Sequence, residues 1–327
     1  MRKTKPIISI IIPAYNEERY LGECLNSLKN QDFKGKYEII VVDNNSTDNT
    51  RIIAERMKIK VLFEPKRGVG WARRKGFDMA QGEIIVTTDA DTILPKNWLS
   101  RIVNEFEKDK GLVGFGGLYT LSSGSILARL VVRYFLYPVW LADRIYCGGW
   151  SLPGVNLAVR KEALLRVGGI NPELAFYEDA DISLRLKNIG KVMLDPKFRV
   201  KTSGRRFKDG LLPGLTVYAL NAVIRVFLRK KKYFRLPDVR TESPFLGKFS
   251  FVPLFLSVLL LLFSFNFSNP LTVYAREKKS LKNKIIFVEN KIKNDDRRVR
   301  CLLAEFEKNK FKSTIQRFNK HSRQGKL

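Results

Sequence analysis

Apolar residues run almost unbroken from Ile7 to Ile12, with Ser9 the one polar interruption, and Pro13 ends the run. A short, β-branched run of this kind predicts a strand buried on both faces, as in a parallel sheet. Pro13 to Glu18 reads as the break into a helix with Asn16 as its N-cap, after which Tyr20/Leu21, Cys24/Leu25 and Leu28 recur at helical spacing. The plan then repeats. Tyr37 to Val42 reads as a second strand, Asp43 to Asp48 as a polar turn, and a helix continues to about Met57. A third strand near Lys60 to Leu62 leads through Gly68-Val69-Gly70 into a helix ending near Gly82, and the run from Ile84 is a fourth strand. Strands alternating with helices of this length predict βαβ units and a parallel sheet.

After Asp91 the spacing loosens. Trp98 to Phe106 is expected to be helical and Leu112 to Leu118 a strand. Ile126 to Tyr146 is a long aliphatic and aromatic stretch carrying Arg129, Arg133, Asp143 and Arg144, too charged to span a membrane but suited to its surface. A glycine-rich loop from Gly148 to Gly154 follows, then Leu157 to Arg160, a helix from Lys161 to Val167, and a helix entered through Tyr177-Glu178-Asp179-Ala180-Asp181 and capped at Gly190.

From Leu211 the composition shifts, and the boundaries read as an α/β domain over 1–210 with three appendages. Residues 211–248 read as an amphipathic, basic interface segment, since Leu211 to Leu228 is apolar apart from Arg225 and ends in Arg229-Lys230-Lys231-Lys232. Residues 249–267 carry no charge; at ~1.5 Å per residue they reach about 28 Å, near the ~30 Å hydrocarbon core, and are expected to form a transmembrane or re-entrant helix. Residues 268–327 form a basic tail, expected to be largely helical, with 17 Lys/Arg and 6 Asp/Glu from Arg276 onward.

Charge and rare residues narrow the chemistry. The chain has 327 residues and a formal charge of +28, which implies an anionic partner: nucleotide phosphates, an acidic membrane surface or nucleic acid. Three scattered cysteines, Cys24, Cys147 and Cys301, form no CxxC pair, so neither a disulfide framework nor a zinc site is indicated and a reduced, cytosolic setting fits. The single histidine, His321, lies in the basic tail. A Ser-His-Asp or Cys-His mechanism therefore lacks a base, and any general base must be Asp, Glu, Lys or Tyr. The apolar run after the basic N-terminus is strand-length and stops at Pro13, so a strand, not a signal peptide, is expected there.

The candidate chemistry sits at strand ends. Thr88-Asp89-Ala90-Asp91 places two carboxylates where the fourth strand stops, the position at which open α/β sheets bind ligands. Two hard oxygen donors so spaced suit Mg2+ or Mn2+ shared with a diphosphate, and the competing reading is a solvated turn. Asp43, at the end of the second strand, is placed to accept a hydrogen bond from a base or ribose, or else to cap a helix with Ser46 or Thr47. Arg73, Arg74 and Lys75 open the next helix and face either phosphates or solvent.

Taken together, Ile11-Ile12-Pro13-Ala14-Tyr15-Asn16-Glu17-Glu18, Val41-Val42-Asp43 through Asp48, Gly70-Trp71-Ala72-Arg73, Thr88-Asp89-Ala90-Asp91, and Gly168-Gly169 followed by Tyr177 to Asp181 and Arg185 resemble glycosyltransferase family 2, over roughly residues 7–205. The resemblance implies a GT-A-type, Rossmann-like, mostly parallel sheet flanked by helices, here with C-terminal membrane-associated helices, and inverting transfer from a nucleotide-diphosphate sugar of UDP or GDP type. It implies that Tyr15, Glu17 and Asp43 hold the nucleoside, that Arg73 fixes the nucleotide, and that Asp89 approaches the ribose and sugar. Asp91 would ligate Mg2+ or Mn2+, and Asp179 would be the catalytic base. Glu178, Asp181, Arg205 and Arg206 are further candidates for contacting an acceptor or a phosphate, the arginines alternatively forming a surface pair beside lipid headgroups. Arg74 departs from the family, which often has Asn there, and the Gln-X-X-Arg-Trp motif of processive synthases is absent, which favours addition of a single sugar.

The expected acceptor is lipid-linked or a glycan, with an anionic membrane surface as partner. A polyprenyl-phosphate sugar synthase is the nearest alternative. A basic nucleic-acid-binding or nucleotidyl-transfer protein would instead bind polynucleotides in a salt-sensitive way, and no nucleic acid is expected. Nucleotide sugars are cytosolic, so the α/β domain is expected at the cytoplasmic side of the cell membrane. A full span over 249–267 would put the basic tail outside, against the tendency of Lys and Arg to stay in, which favours the re-entrant form.

Overall fold

Ile8, Ile10 and Ile12 turn to one face of the first strand and Ile11 to the other, and all four are wholly buried because helices cover both faces. The computed structural model describes residues 5–174 and 177–207. Its first half is β1 (Ile8–Ala14), α1 (Leu21–Lys29), β2 (Tyr37–Asp43), α2 (Thr50–Arg56), β3 (Lys60–Phe63), α3 (Val69–Met79) and β4 (Ile84–Thr87). These four strands pair in parallel, as the alternation of strand and helix predicts. One face packs on Leu21, Leu25 and Leu28 of α1 and the other on Ala72 and Phe77 of α3.

The second half departs from the sequence reading. It comprises β5 (Thr92–Ile93), α4 (Trp98–Lys108), β6 (Leu112–Leu121), α5 (Ile126–Cys147), β7 (Leu157–Arg160), α6 (Lys161–Arg166), α7 (Glu178–Leu186) and β8 (Lys191–Thr202). The eight strands form one sheet in the order β3-β2-β1-β4-β7-β6-β8-β5. β7 runs antiparallel to both β4 and β6, and β5 antiparallel to β8, so the sheet is mixed where a mostly parallel one was expected. Burial pattern along a chain is blind to strand direction, which is why the reversal at β7 left no trace in the sequence.

β8 was not foreseen at all. Pro196 argues against a strand, yet it falls in a bulge where the partner of β6 jumps from Asp195 to Arg199, so no ladder hydrogen bond is asked of it. The first helix also starts later than expected: α1 begins at Leu21 after Tyr20, and Asn16 adopts a left-handed backbone (φ 51°) in the turn instead of capping a helix. The expected interface segment 211–248, the transmembrane or re-entrant helix 249–267 and the tail 268–327 lie outside the described residues. Among those described, no helix is long and apolar enough to cross a membrane.

Asn156 ties three elements of the second half together. Its Oδ1 accepts from the indole N–H of buried Trp98 (2.9 Å), and its Nδ2 donates to the carbonyls of Leu118 (3.3 Å) and Phe198 (3.1 Å) on β6 and β8. Asn156→Leu is expected to lower the unfolding free energy by about 3 kcal/mol or more, because each buried polar group left unpaired costs ~1–3 kcal/mol. Urea unfolding followed by tryptophan fluorescence reads the loss, and an unchanged midpoint would contradict this role.

Candidate active site

The carboxyl ends of β1, β2 and β4 lie side by side, since Ala14 pairs with Asp43 and Ile11 with Thr87. The βα turns that follow are laced to each other. Asn16 Oδ1 accepts from the Thr47 N–H (2.8 Å), and the Asn16 N–H donates to Ser46 Oγ (3.1 Å). Asp43 is buried, and its Oδ1 accepts from the Ser46 N–H (3.1 Å). It thus closes the turn, whereas α2 starts only at Thr50. Tyr15 stands next to it, with the Arg67 guanidinium 3.4 Å from its ring centroid.

Arg73 lies in the middle of α3, not at its opening, and is only 4% exposed. It donates from Nη2 to Asp89 Oδ1 (2.8 Å) and from Nη1 to Glu178 at the start of α7. Gly154 closes over it: a Cβ there would stand 2.4 Å from Arg73 Nη1, so only glycine lets the backbone approach. The same Gly154 donates its N–H to Asp179 Oδ2 (2.6 Å), and Asp179 Oδ1 accepts from the Ala180 N–H (2.8 Å). Burial pushes the Glu178 carboxyl above its ordinary range, Arg73 pulling against it and Asp179 adding to the rise. Glu178 is therefore a buried partner of Arg73, an arrangement that fixes α7, with its acidic first turn, against the end of β4.

Asp91 belongs to a second cluster. Pairing of Thr92 with Thr202 brings the end of β8 alongside, so that Thr202 Oγ1 donates to Asp91 Oδ1 (3.0 Å) and the Ser203 N–H to the Asp91 carbonyl (3.2 Å). Arg205, three residues on, forks onto Glu17 with Nη1 to Oε2 at 2.8 Å and Nη2 to Oε1 at 2.7 Å, and its Nη2 lies 3.1 Å from Asp91 Oδ2. Burial raises the Asp91 carboxyl to about 6, with Arg205 opposing and the charges of Asp89 and Glu17 reinforcing the rise. Cys24 beneath is wholly buried and its thiol is pushed up by that burial, so it is no nucleophile.

The donor set suits a hard divalent cation, because it is made of carboxylate and hydroxyl oxygens. No group of three or more metal-ligating side chains stands assembled among the described residues. Asp91, with Asp89 beside it, would supply part of a coordination shell that diphosphate and water oxygens complete, and the Arg205 guanidinium stands in that position's negative field.

Other candidates face elsewhere. Asp181 pairs with Arg185 one turn on (2.7 Å), and Arg185 also donates to the carbonyls of Val167 and Gly169 (2.7 Å for Gly169). Arg74 binds Asp78 and the carbonyls of Gly168 and Ile170 (3.2 Å each). Two arginines thus grip the turn at Gly168-Gly169, whose φ values of 80° and 73° need glycine. Asp181 is held by Arg185 in this arrangement. Arg74, an anomaly in the sequence, is likewise structural. Arg206 is half-buried in the turn Arg205–Phe207 beside Arg205. Sequence reasoning placed Gly154 only in a glycine-rich loop and gave it no role beside Arg73 and Asp179, for a glycine carries no such signal without the contact that uses it.

A mixed sheet covered by helices on both faces, with acids gathered at the ends of its parallel strands, is a GT-A-like α/β architecture. Residues 9–163, a little under half of the chain, match the family model described as glycosyl transferase family 2. Glycosyltransferase AglE of Haloferax volcanii is 35% identical over 198 residues, covering 58% of this chain and 64% of that protein. The beta-monoglucosyldiacylglycerol synthase of Nostoc sp. is 31% identical over 193 residues, covering 55% of this chain and 41% of that protein. The chain thus matches less than two thirds of the length of either relative. Among solved structures, the mannosyltransferase PcManGT from Pyrobaculum calidifontis, in complex with GDP-Man and Mn2+, superposes with a TM-score of 0.53 at 19% identity, covering 93% of this chain and 80% of that one. At that identity the likeness is one of fold.

Arg205→Gln is expected to tighten Mn2+ binding about tenfold, equivalent to ~1.4 kcal/mol, by removing a competing cation. The same change should lower stability by about 3 kcal/mol or more, as breaking a buried ion pair does. Titration calorimetry and urea unfolding measure the two, and unchanged metal affinity would show that the guanidinium and the metal do not compete. Because a proton must leave Asp91 before a metal binds, Mn2+ affinity should be flat above about pH 6 and fall by about tenfold per pH unit below it. An affinity independent of pH between 5 and 7, within about twofold, would remove Asp91 from the ligand set.

Proposed function

We propose that the chain moves one sugar, with inversion, from a nucleotide-diphosphate sugar of UDP or GDP type to a lipid-linked acceptor, using Mg2+ or Mn2+, at the cytoplasmic face of the cell membrane. The observation that supports this reading is the convergence of Asp43, Asp89 and Asp91 at one sheet edge, with Asp179 tied to that edge through Gly154 and Arg73. Asp43 and Tyr15 bound the place for the nucleoside. Arg73 holds Asp89 toward the sugar and diphosphate.

In the reaction the acceptor oxygen attacks the anomeric carbon as the bond from that carbon to the diphosphate oxygen breaks, and the electron pair leaves on the diphosphate. A divalent ion on Asp91 would supply charge stabilisation for that leaving group. Asp179 takes the acceptor's proton, and the backbone N–H of Gly154 fixes its carboxylate for that task. The lipid-linked acceptor and the membrane location draw on the apolar and basic sequence after Leu211.

Asp179→Asn is expected to retain nucleotide-sugar binding and lose ~10²–10⁴-fold in transfer to a hydroxyl acceptor, because the amide takes no proton. Purified protein with a panel of nucleotide sugars, Mn2+ and membrane lipid extract, assayed for nucleotide release, makes the measurement. Transfer at the parental rate would overturn Asp179 as base and favour an acceptor already anionic, such as a polyprenyl phosphate. Release of no nucleotide from any donor by the parent protein would remove the transferase reading.

A further inference from the structure

Helix α5 is held from below and bare on top. Ala128 and Val132 pack on Leu121 and Phe207, while Tyr137 and Trp140 reach the core on that side of the sheet. The outward face carries Leu127, Leu130, Tyr134, Leu141 and Ile145, exposed by 61, 47, 63, 36 and 73%. Steps of three, four, seven and four residues set these side chains in one line along a helix that a serine caps at its start, Ser125 Oγ accepting from the Ala128 N–H. Isolated exposed leucines are ordinary, but an apolar row about five turns long marks a surface that something covers.

Charge says what. Arg129, Arg133 and Arg144 are exposed, and at ~100° per residue Arg133 and Arg144 border the row along one side, with Arg129 farther round the same flank. The only acid in the helix, Asp143, is half-buried, and its carboxylate accepts from the Cys147 thiol. A second copy of the chain packed here would meet a row of arginines with no carboxylate on the face to receive them. Anionic headgroups would receive all three. Chain direction agrees: Phe207 packs beneath α5, and the sequence leaving from it is the apolar Leu211 to Leu228 with its basic end, Arg229 to Lys232.

We propose that the outward face of α5 docks this domain on an anionic lipid bilayer, the apolar row entering the boundary between headgroups and acyl chains and the three arginines meeting lipid phosphates. The inference rests on the membrane location proposed above and not on the transfer chemistry. It adds a contact within the α/β domain itself.

The test uses the full chain, because the tail alone is basic enough to bind vesicles. In a Cys147→Ser, Cys301→Ser background, where buried Cys24 stays unreactive, an environment-sensitive fluorophore is placed at Tyr134→Cys, at Leu141→Cys or, as a control, at exposed Glu55→Cys on α2. On adding phosphatidylglycerol-containing vesicles, emission at 134 and 141 should rise severalfold and shift to the blue, and a spin-labelled lipid should quench it, while position 55 stays aqueous. Replacing Arg129, Arg133 and Arg144 with Gln should weaken this response on phosphatidylglycerol and leave it nearly unchanged on phosphatidylcholine alone. Co-sedimentation with vesicles while 134 and 141 remain aqueous would overturn the proposal, as would failure to bind vesicles. Emission already blue-shifted without lipid would overturn it too, by showing that protein covers the face. Nucleotide-sugar binding measured on the same samples tests the transferase reading separately.

Discussion

The arrangement depends on Arg73, a guanidinium withdrawn from water in the middle of a helix and held by two carboxylates from distant parts of the chain. Asp89 comes from the loop after β4, and Glu178 from the start of α7, 105 residues from Arg73. Taking such a charge out of water costs several kcal/mol, and the two partners offset this only if both are in place. Hydrophobic packing of equal volume would stabilise the fold as well or better. What the ion pairs add is position: they bring the end of a parallel strand and the first turn of a helix to one place, with the Gly154 backbone laid across the guanidinium and Asp179 hung from Gly154. One of the nitrogens, Arg73 Nε, has no partner among the described residues, a further sign that geometry is served here ahead of stability.

The second arginine, Arg205, works with opposite exposure to change. It lies at the end of β8, and its fork on Glu17 and reach to Asp91 concentrate one positive charge where a divalent ion would be drawn. Arg73 supports an acid from behind, whereas Arg205 faces one from the front. The pull of burial on Asp91, toward a protonated carboxyl at mildly acid pH, is held back by this same guanidinium. Loss of the guanidinium therefore alters both the proton and the metal affinity of one carboxylate.

Much of the first half was legible in the sequence, because buried β-branched runs such as Ile7 to Ile12 and Tyr37 to Val42, each ended by a polar turn, admit few other structures. Position at a strand end follows from such a run, so Asp43, Asp89 and Asp91 were marked without coordinates. Local signals failed where two elements had to meet. Asn16 suits a helix cap by residue type, but the neighbouring turn claims its side chain. Pro196 hides β8 by residue type, but a bulge accommodates it.

The sequence by itself determined the parallel βαβ half, the acids at its edge, and the apolar character of α5. Only the tertiary structure decided the antiparallel turn of β7, the order of the sheet, the burial of Arg73, the pairing of Arg205 with Glu17 and Asp91, and which side of α5 is bare. The division has a physical cause. Periodicity along the chain records how each residue is split between core and solvent, whereas an ion pair between residues 17 and 205 depends on closure of the whole sheet between them.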